Sequence, residues 1–514
     1  MKRIYFIIFL FANTTTFGQA PNWQWAKKAD GLYHDAGNSI SSDVNGNIYV
    51  TGSFSSPSIT FGTITLTGLA SNNIFVVKYD ATGNVIWAKS TGGNGGAVGY
   101  GIHADAFGII YVTGGFGGST IIFDSDTLVN TGISNFFIAK YNSAGNVVWA
   151  KNAGGTSGSI AAYGISADIF GNSYITGVFT SPFITIGSTV LTNSGQEDIF
   201  IAKYDFTGNA VWAKKADGNS YDFGQGISAD ITGYSYVTGY FFSDSIKFGN
   251  ITLFNGGWWN FFTVKYDPSG NVLWAKTAGG LSGTEAVRAF GIDVDASGNT
   301  YVAGDFGGSG ITFGSITLST TPTTSSIFVL KYDTSGTEIW VKKSIGTTAA
   351  NYAYGIIVDS NGNSYITGGF YGDSIIIGST TLINNGYADV LIAKYDAMGN
   401  PIWAKNAGGT YWEYGSGIAV DANGSSYITG QFRSDSIYFD NITLINTADS
   451  VSDFFIAKLG NTTGTLEINT SFSEVSISPN PATNKITISN PQSAIEAIEI
   501  YNVMGQIVFL NCKL

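Results

Sequence analysis

One unit recurs seven times along this 514-residue chain, and that recurrence limits its fold more than any other feature. Seven tryptophans each precede an Ala-Lys or Val-Lys pair: Trp25, Trp87, Trp149, Trp212, Trp274, Trp340 and Trp403. They are spaced 62 to 66 residues apart. A Tyr-(Val/Ile)-(Thr/Ala)-Gly block follows the same period, starting at Tyr49, Tyr111, Tyr174, Tyr236, Tyr301, Tyr365 and Tyr427. So do Lys78, Lys140, Lys203, Lys265, Lys331, Lys394 and Lys458. So does an Asp before a Gly-containing turn: Asp43, Asp105, Asp168, Asp230, Asp295, Asp359 and Asp421. Length alone suggests about three domains. A period of this size points instead to one supersecondary unit whose core is completed by its neighbours.

Each unit reads as β. Its short runs are rich in Val, Ile, Tyr, Phe and Thr, with Gly, Asn and Asp between them. Four such antiparallel strands make one blade of a β-propeller. The fold class expected is therefore all-β, a seven-bladed β-propeller. The repeats open with an outer-strand block, residues 23–28, and close with a third-strand block, residues 454–459. The N-terminal strand can then complete the seventh blade and close the ring, which removes open sheet edges. The Asp-x-x-Gly turns have tight-turn chemistry, with Gly at positive φ and Asp bonding nearby backbone. Asp43–Asn47 and Asp359–Asn363 resemble the start of a calcium loop but lack its downstream Glu, so they are read as turns. An extra stretch between the second and third strands, such as residues 59–66 and 246–253, reads as a small hairpin.

Composition fits this reading and excludes others. Charged residues make 12% and aromatics 14%, the reverse of a disordered chain. A single cysteine, Cys512, rules out a disulfide scaffold. With 24 basic and 36 acidic residues, the formal charge is −12, and no basic cluster offers a nucleic-acid footprint. Lys2 and Arg3, then the apolar run of residues 4–12, have the layout of a secretory signal peptide, with cleavage expected after Gly18. No later segment has the ~20 apolar residues of a transmembrane helix.

The blocks Gly-Ile-x-x-Asp, Gly-Asn-x-Tyr-Val-Thr-Gly, Phe-(Val/Ile)-Ala-Lys-Tyr-Asp and Trp-Ala-Lys resemble the bacterial seven-bladed β-propeller repeat family over roughly residues 23–459. That resemblance implies architecture and no chemistry. Further on, Ser478-Pro-Asn-Pro481 and Tyr501-Asn-Val-Met-Gly505 resemble the type IX secretion C-terminal sorting domain, type A. It implies a partner, the type IX secretion machinery, engaged through residues 473–514. It also implies a Gram-negative source, and release from the cell or attachment at the outer membrane. The family's domain is a β-sandwich, and only its earlier part is present here. A shortened domain that fails to work would leave the protein in the periplasm. The division expected is signal peptide 1–18, propeller 19–460, linker 461–472 and partial sorting domain 473–514.

Propeller topology places the short Asp-Gly turns on one face and the longer, variable loops on the other. Function usually sits on variable loops held by a rigid scaffold. The binding residues expected there are Tyr33, Asp35, Asp217, Tyr221, Asp222, Glu285, Arg288, Trp412, Glu413 and Tyr414. Aromatic platforms beside polar groups suit sugars, whose apolar faces stack on rings. Tyr100, Tyr163, Phe290 and Tyr354 share a position before Gly-Ile and are read mainly as packing between blades. Trp258 and Trp259 could extend an aromatic surface. His34 and His103 are too isolated for a zinc site. No nucleophile elbow or phosphate loop appears. No catalytic residue, metal or cofactor is therefore assigned.

The function expected is an exported, monomeric binding or adhesion protein with an extracellular glycan or protein ligand. The alternatives are a polysaccharide-active enzyme using a carboxylate pair on the same face, and an architectural surface protein.

Overall fold

In a computed structural model the described residues are 20–280, 286–320, 325–346, 351–446 and 451–460, with four short strands beyond residue 475. The expected signal peptide and linker lie outside them. The chain divides into two compact units, Met1–Thr462 and Thr463–Leu514. The second unit shows two antiparallel strand pairs, Ser476–Ser478 with Thr487–Ser489 and Ala497–Tyr501 with Ile507–Cys512.

Among the described residues of the first unit, the regular structure is all β. Its main elements are seven four-stranded antiparallel sheets, one per repeat. The fourth shows the pattern: Asp222–Ala229, Ser235–Phe241, Asn260–Tyr266 and Val272–Lys276, in chain order from the inside outward. Second and third strands are buried almost throughout, as expected where a sheet is covered on both faces. The sheet of the last repeat contains Glu413–Val420, Ser426–Phe432 and Asp453–Leu459, and its outermost strand is Trp23–Lys28 from the start of the chain.

The recurring Tyr, Lys, Asp and Trp meet at junctions between repeats. In unit 3, Tyr174 donates its hydroxyl to Asp168 at 3.0 Å, and Lys203 lies 5.1 Å from the centre of the Tyr174 ring. Lys203 and Trp212 both donate to the carbonyl of Pro268 in the next unit, at 3.3 and 3.1 Å. The Trp212 ring covers Gly270, where φ is +81° and a Cβ would stand 2.9 Å from the ring. That turn therefore needs glycine for both its conformation and its contact. The last and first repeats meet in the same way, with Lys458 and Trp25 both donating to the carbonyl of Ala81.

The Asp of each Asp-x-x-Gly turn is consumed locally. Asp43 accepts the backbone N–H groups of Asn45 and Asn47, the Asn47 side-chain amide and the Tyr49 hydroxyl, all within 3.0 Å. The turn reading accounts for its oxygens without a cation. The extra stretches form hairpins, such as Ser58–Phe61 with Ile64–Thr67. Their inward residues, Ile59 and Phe61 in the first, are fully buried.

Candidate functional site

Each innermost strand carries one β-bulge. The register skips Asn38, Tyr100, Tyr163, Gln225, Phe290, Tyr354 and Ser416. An extra residue in one strand bends it and re-aims a side chain. Here all seven line a central cavity of about 710 Å³, bounded by the innermost strands of all seven sheets. The bulge also explains the Gly of the Tyr-Val-Thr-Gly block. A Cβ on Gly52 would stand 1.9 Å from the Ala36 carbonyl oxygen. Tyr100 and Tyr163, from adjacent units, meet at 5.1 Å, as do Phe290 and Tyr354 at 5.3 Å. These rings thus pack across junctions, as expected, and line the cavity as well.

Above the bulges, on the long-loop face, the units differ. The second residue of the innermost strand is Ala36, Val98 and Ala161 in units 1 to 3, but Phe223, Arg288, Tyr352 and Tyr414 in units 4 to 7. A strip of touching rings follows. Phe242 meets Trp259 at 5.1 Å, and Trp259 meets Tyr240 at 5.2 Å. Tyr240 meets Phe290, which meets Tyr354, then Tyr352, Tyr371 and Tyr387. The strip ends at Trp412, 5.3 Å from Tyr387, and Tyr411. None of these rings is fully buried. Tyr387 is 58% exposed and Trp412 38%.

Three arginines occur in the whole sequence, and the two in the repeat unit both lie on this strip. Arg288 pairs with Asp305 at 3.0 Å and lies over Tyr352 and Phe290. Arg433 lies over Tyr411 at 5.2 Å and Trp412 at 5.7 Å. Such cation–ring contacts contribute about 0.5–1 kcal/mol at exposed sites and hold the rings in place.

The acidic residues expected to face a ligand divide into two kinds. Asp35, Asp222 and Glu413 are buried at the start of their innermost strands. Each bonds a serine: Ser56, Ser243 and Ser434. Those serine oxygens accept loop N–H groups from Leu32 and Tyr33, from Asn219 and Ser220, and from Tyr411. The three carboxyls therefore anchor loops, and their burial takes them out of reach of a surface ligand. Desolvation raises all three to about 7, helped by a second buried acid across the junction: Asp453, Asp198 and Asp389 respectively. In contrast, Asp217 is half exposed and paired with Lys215 at 2.5 Å. Tyr33 and Tyr221 are both exposed; Tyr33 belongs to unit 1, whereas the Tyr221 carbonyl accepts the backbone N–H of Phe242 at 2.8 Å, beside the first ring of the strip. Tyr414 contacts the Gln431 amide and lies 5.8 Å from Tyr354, so it joins the strip. Glu285 lies outside the described residues.

Family models match two stretches of the chain. Residues 148–183 match the beta-propeller repeat, and residues 476–513 match the secretion system C-terminal sorting domain. Both resemblances drawn from the sequence are thus matched. Together they describe a β-propeller repeat protein with a secretion sorting tail, which supports a secreted or cell-surface location. An uncharacterized WD repeat-containing protein of Acanthamoeba polyphaga mimivirus is 26% identical over 457 residues, covering 73% of this chain and 32% of the relative. The chain therefore spans about a third of that relative's length. Among solved structures, puromycin hydrolase aligns at a TM-score of 0.40 and 10% identity, over 82% of this chain and 54% of that one. A protein of unknown function from Bacteroides caccae aligns at a TM-score of 0.26 and 9% identity, over 52% and 89%. No helix among the described residues is long and apolar enough to cross a membrane.

Sequence reading missed Phe242, Tyr371 and Arg433, which stand at one repeat position, just after the second strand. In units 1, 2, 3 and 5 that position holds Ser55, Gly117, Thr180 and Gly307. The change from small to bulky was a readable signal.

Proposed function

We propose that this is an exported, non-catalytic seven-bladed β-propeller, closed by its N-terminal strand, that binds a glycan along the ring strip of units 4 to 7. The carrying observation is the strip itself. Scaffold positions repeat seven times, whereas large rings at the loop-face positions gather in adjacent units. Partly exposed rings offer stacking surface to sugars. Arg288, Arg433, Gln431 and the tyrosine hydroxyls supply donors for sugar hydroxyls. Closure is supported by the Trp23–Lys28 pairing with Asp453–Leu459 and by the Ala81 latch, which repeats the internal junctions.

A glycan array with the full chain tests the reading. Binding without product release is expected, and Trp412→Ala should weaken it roughly tenfold, the scale of a lost ring contact plus its buried area. Affinity unchanged by Trp412→Ala and Tyr387→Ala would remove this site. Capture of a protein with no glycan bound would replace the ligand class, and product release would reverse the non-catalytic reading. Export is tested separately, by cell fractionation with and without residues 473–514. A soluble periplasmic pool of the full chain would count against surface delivery.

A further inference from the structure

The short-turn face carries a second asymmetry that the glycan reading does not use. The tips of the Asp-x-x-Gly turns hold Val44, Phe107, Ile169 with Phe170, and Ile231 in units 1 to 4. In units 5 to 7 they hold Ala296-Ser297, Ser360-Asn361 and Ala422-Asn423. The turn after the third strand adds Phe206 in unit 3 and, across the face, Met398 in unit 6. Phe107 is 82% exposed, the most of any large apolar residue among those described, and the other tips of units 1 to 4 are all more than half exposed. The tips of unit 3 adjoin: a Cβ on Gly171 would stand 3.4 Å from the Cβ of Phe206. Other exposed aliphatics, such as Ile86, Val148, Val211, Leu273 and Ile339 beside the outer-strand tryptophans, recur from unit to unit and belong to the scaffold. The crescent of tips does not recur.

The turns beneath the tips are rigid. Asp105 accepts the N–H groups of Phe107 and Ile109 at 2.8 and 2.9 Å, and Asp168 those of Phe170 and Asn172 at 3.0 Å. Discrete apolar side chains held out from capped turns suit shallow insertion at a headgroup boundary. They suit a second copy poorly, because a stable protein interface takes about 20–30 residues a side.

We propose that the short-turn face of units 1 to 4 is a lipid-docking surface, whose tips Val44, Phe107, Ile169, Phe170, Phe206 and Ile231 insert into the boundary of a lipid layer. With a formal charge of −12, attraction comes from apolar burial and not from charge.

Flotation of the purified full chain with phosphatidylcholine vesicles tests this. Binding should be insensitive to salt. The triple variant Phe107→Ser, Phe170→Ser, Phe206→Ser should lower the bound fraction roughly tenfold or more, given the apolar area removed. Its thermal midpoint should be unchanged because all three side chains are exposed. If the triple variant misfolds, Phe107→Ser alone carries the test with a smaller loss. Absence of flotation, or equal flotation of variant and parent, overturns the proposal. Self-association that the variant abolishes, without vesicle binding, overturns it in favour of a second copy. Trp412→Ala should float normally, so loss of glycan binding and loss of docking are read apart.

Discussion

On the short-turn face, Trp25, Trp87, Trp149, Trp212, Trp274 and Trp340 each donate to a carbonyl of the next unit's turn. On the long-loop face, equivalent positions change from Ala36 and Val98 to Arg288 and Tyr352. A position that must complete its neighbour's core is held to one solution in every copy. A position that faces solvent is free to vary, so a cluster of large side chains there calls for a reason other than packing. The same logic isolates the apolar tips of units 1 to 4, which ride on invariant turns without taking part in them.

The largest test of this contrast removes a junction. Deleting residues 21–29 takes the outermost strand from the last sheet and Trp25 from its latch on Ala81. Thermal unfolding followed by circular dichroism should show lost cooperativity or a collapsed midpoint. An unchanged midpoint would mean that the strand is dispensable. Within the ring, Trp212→Ala should cost about 3–5 kcal/mol, the range for deleting a buried aromatic, because it also orphans the contact over Gly270.

A smaller effect separates the loop anchors from the ligand surface. Asp35, Asp222 and Glu413 titrate near 7 in the fold, against about 4 in an unfolded chain. Between those values the folded state holds protons that the unfolded state has released. Stability therefore rises as pH falls through 7 and levels off below about 4. The midpoint should be higher at pH 5 than at pH 8. Asp222→Asn should remove about 2 kcal/mol of that pH dependence. A slope identical to the parent's would show that Asp222 is already ionised in the fold. Binding by the ring strip, measured at one pH, should change far less with Asp222→Asn than with Trp412→Ala.

Much of the scaffold was legible because its residues act in register. The Trp-Ala-Lys and Tyr-Val-Thr-Gly blocks mark strands, and the Asp-x-x-Gly turns mark where they reverse. The site was legible only in part. Arg288, Trp412 and Tyr414, expected from their place on inter-blade loops or just beyond them, lie on the strip of rings. Asp35, Asp222 and Glu413 share that place in the sequence, yet their carboxyls turn inward onto Ser56, Ser243 and Ser434. Nothing local in the chain shows that inward turn. The serine partner lies 21 residues away in each case, and its meaning appears only when the units are compared. In the other four units the first innermost-strand residue is Ala97, Ile160, Val287 or Asn351, and no anchor of this kind can form.

The smallest effect expected is also a sharp one. Phe107 stands on a turn whose hydrogen bonds all come from Asp105 and the backbone. Its ring is almost free in solvent, so Phe107→Ser should shift stability by no more than about 0.5 kcal/mol, as for surface substitutions away from special features. A loss of several kcal/mol would instead place Phe107 in the scaffold, beside Tyr111 and Trp149. The distinction between repeated framework and added surface would then fail on the face where it is drawn most simply.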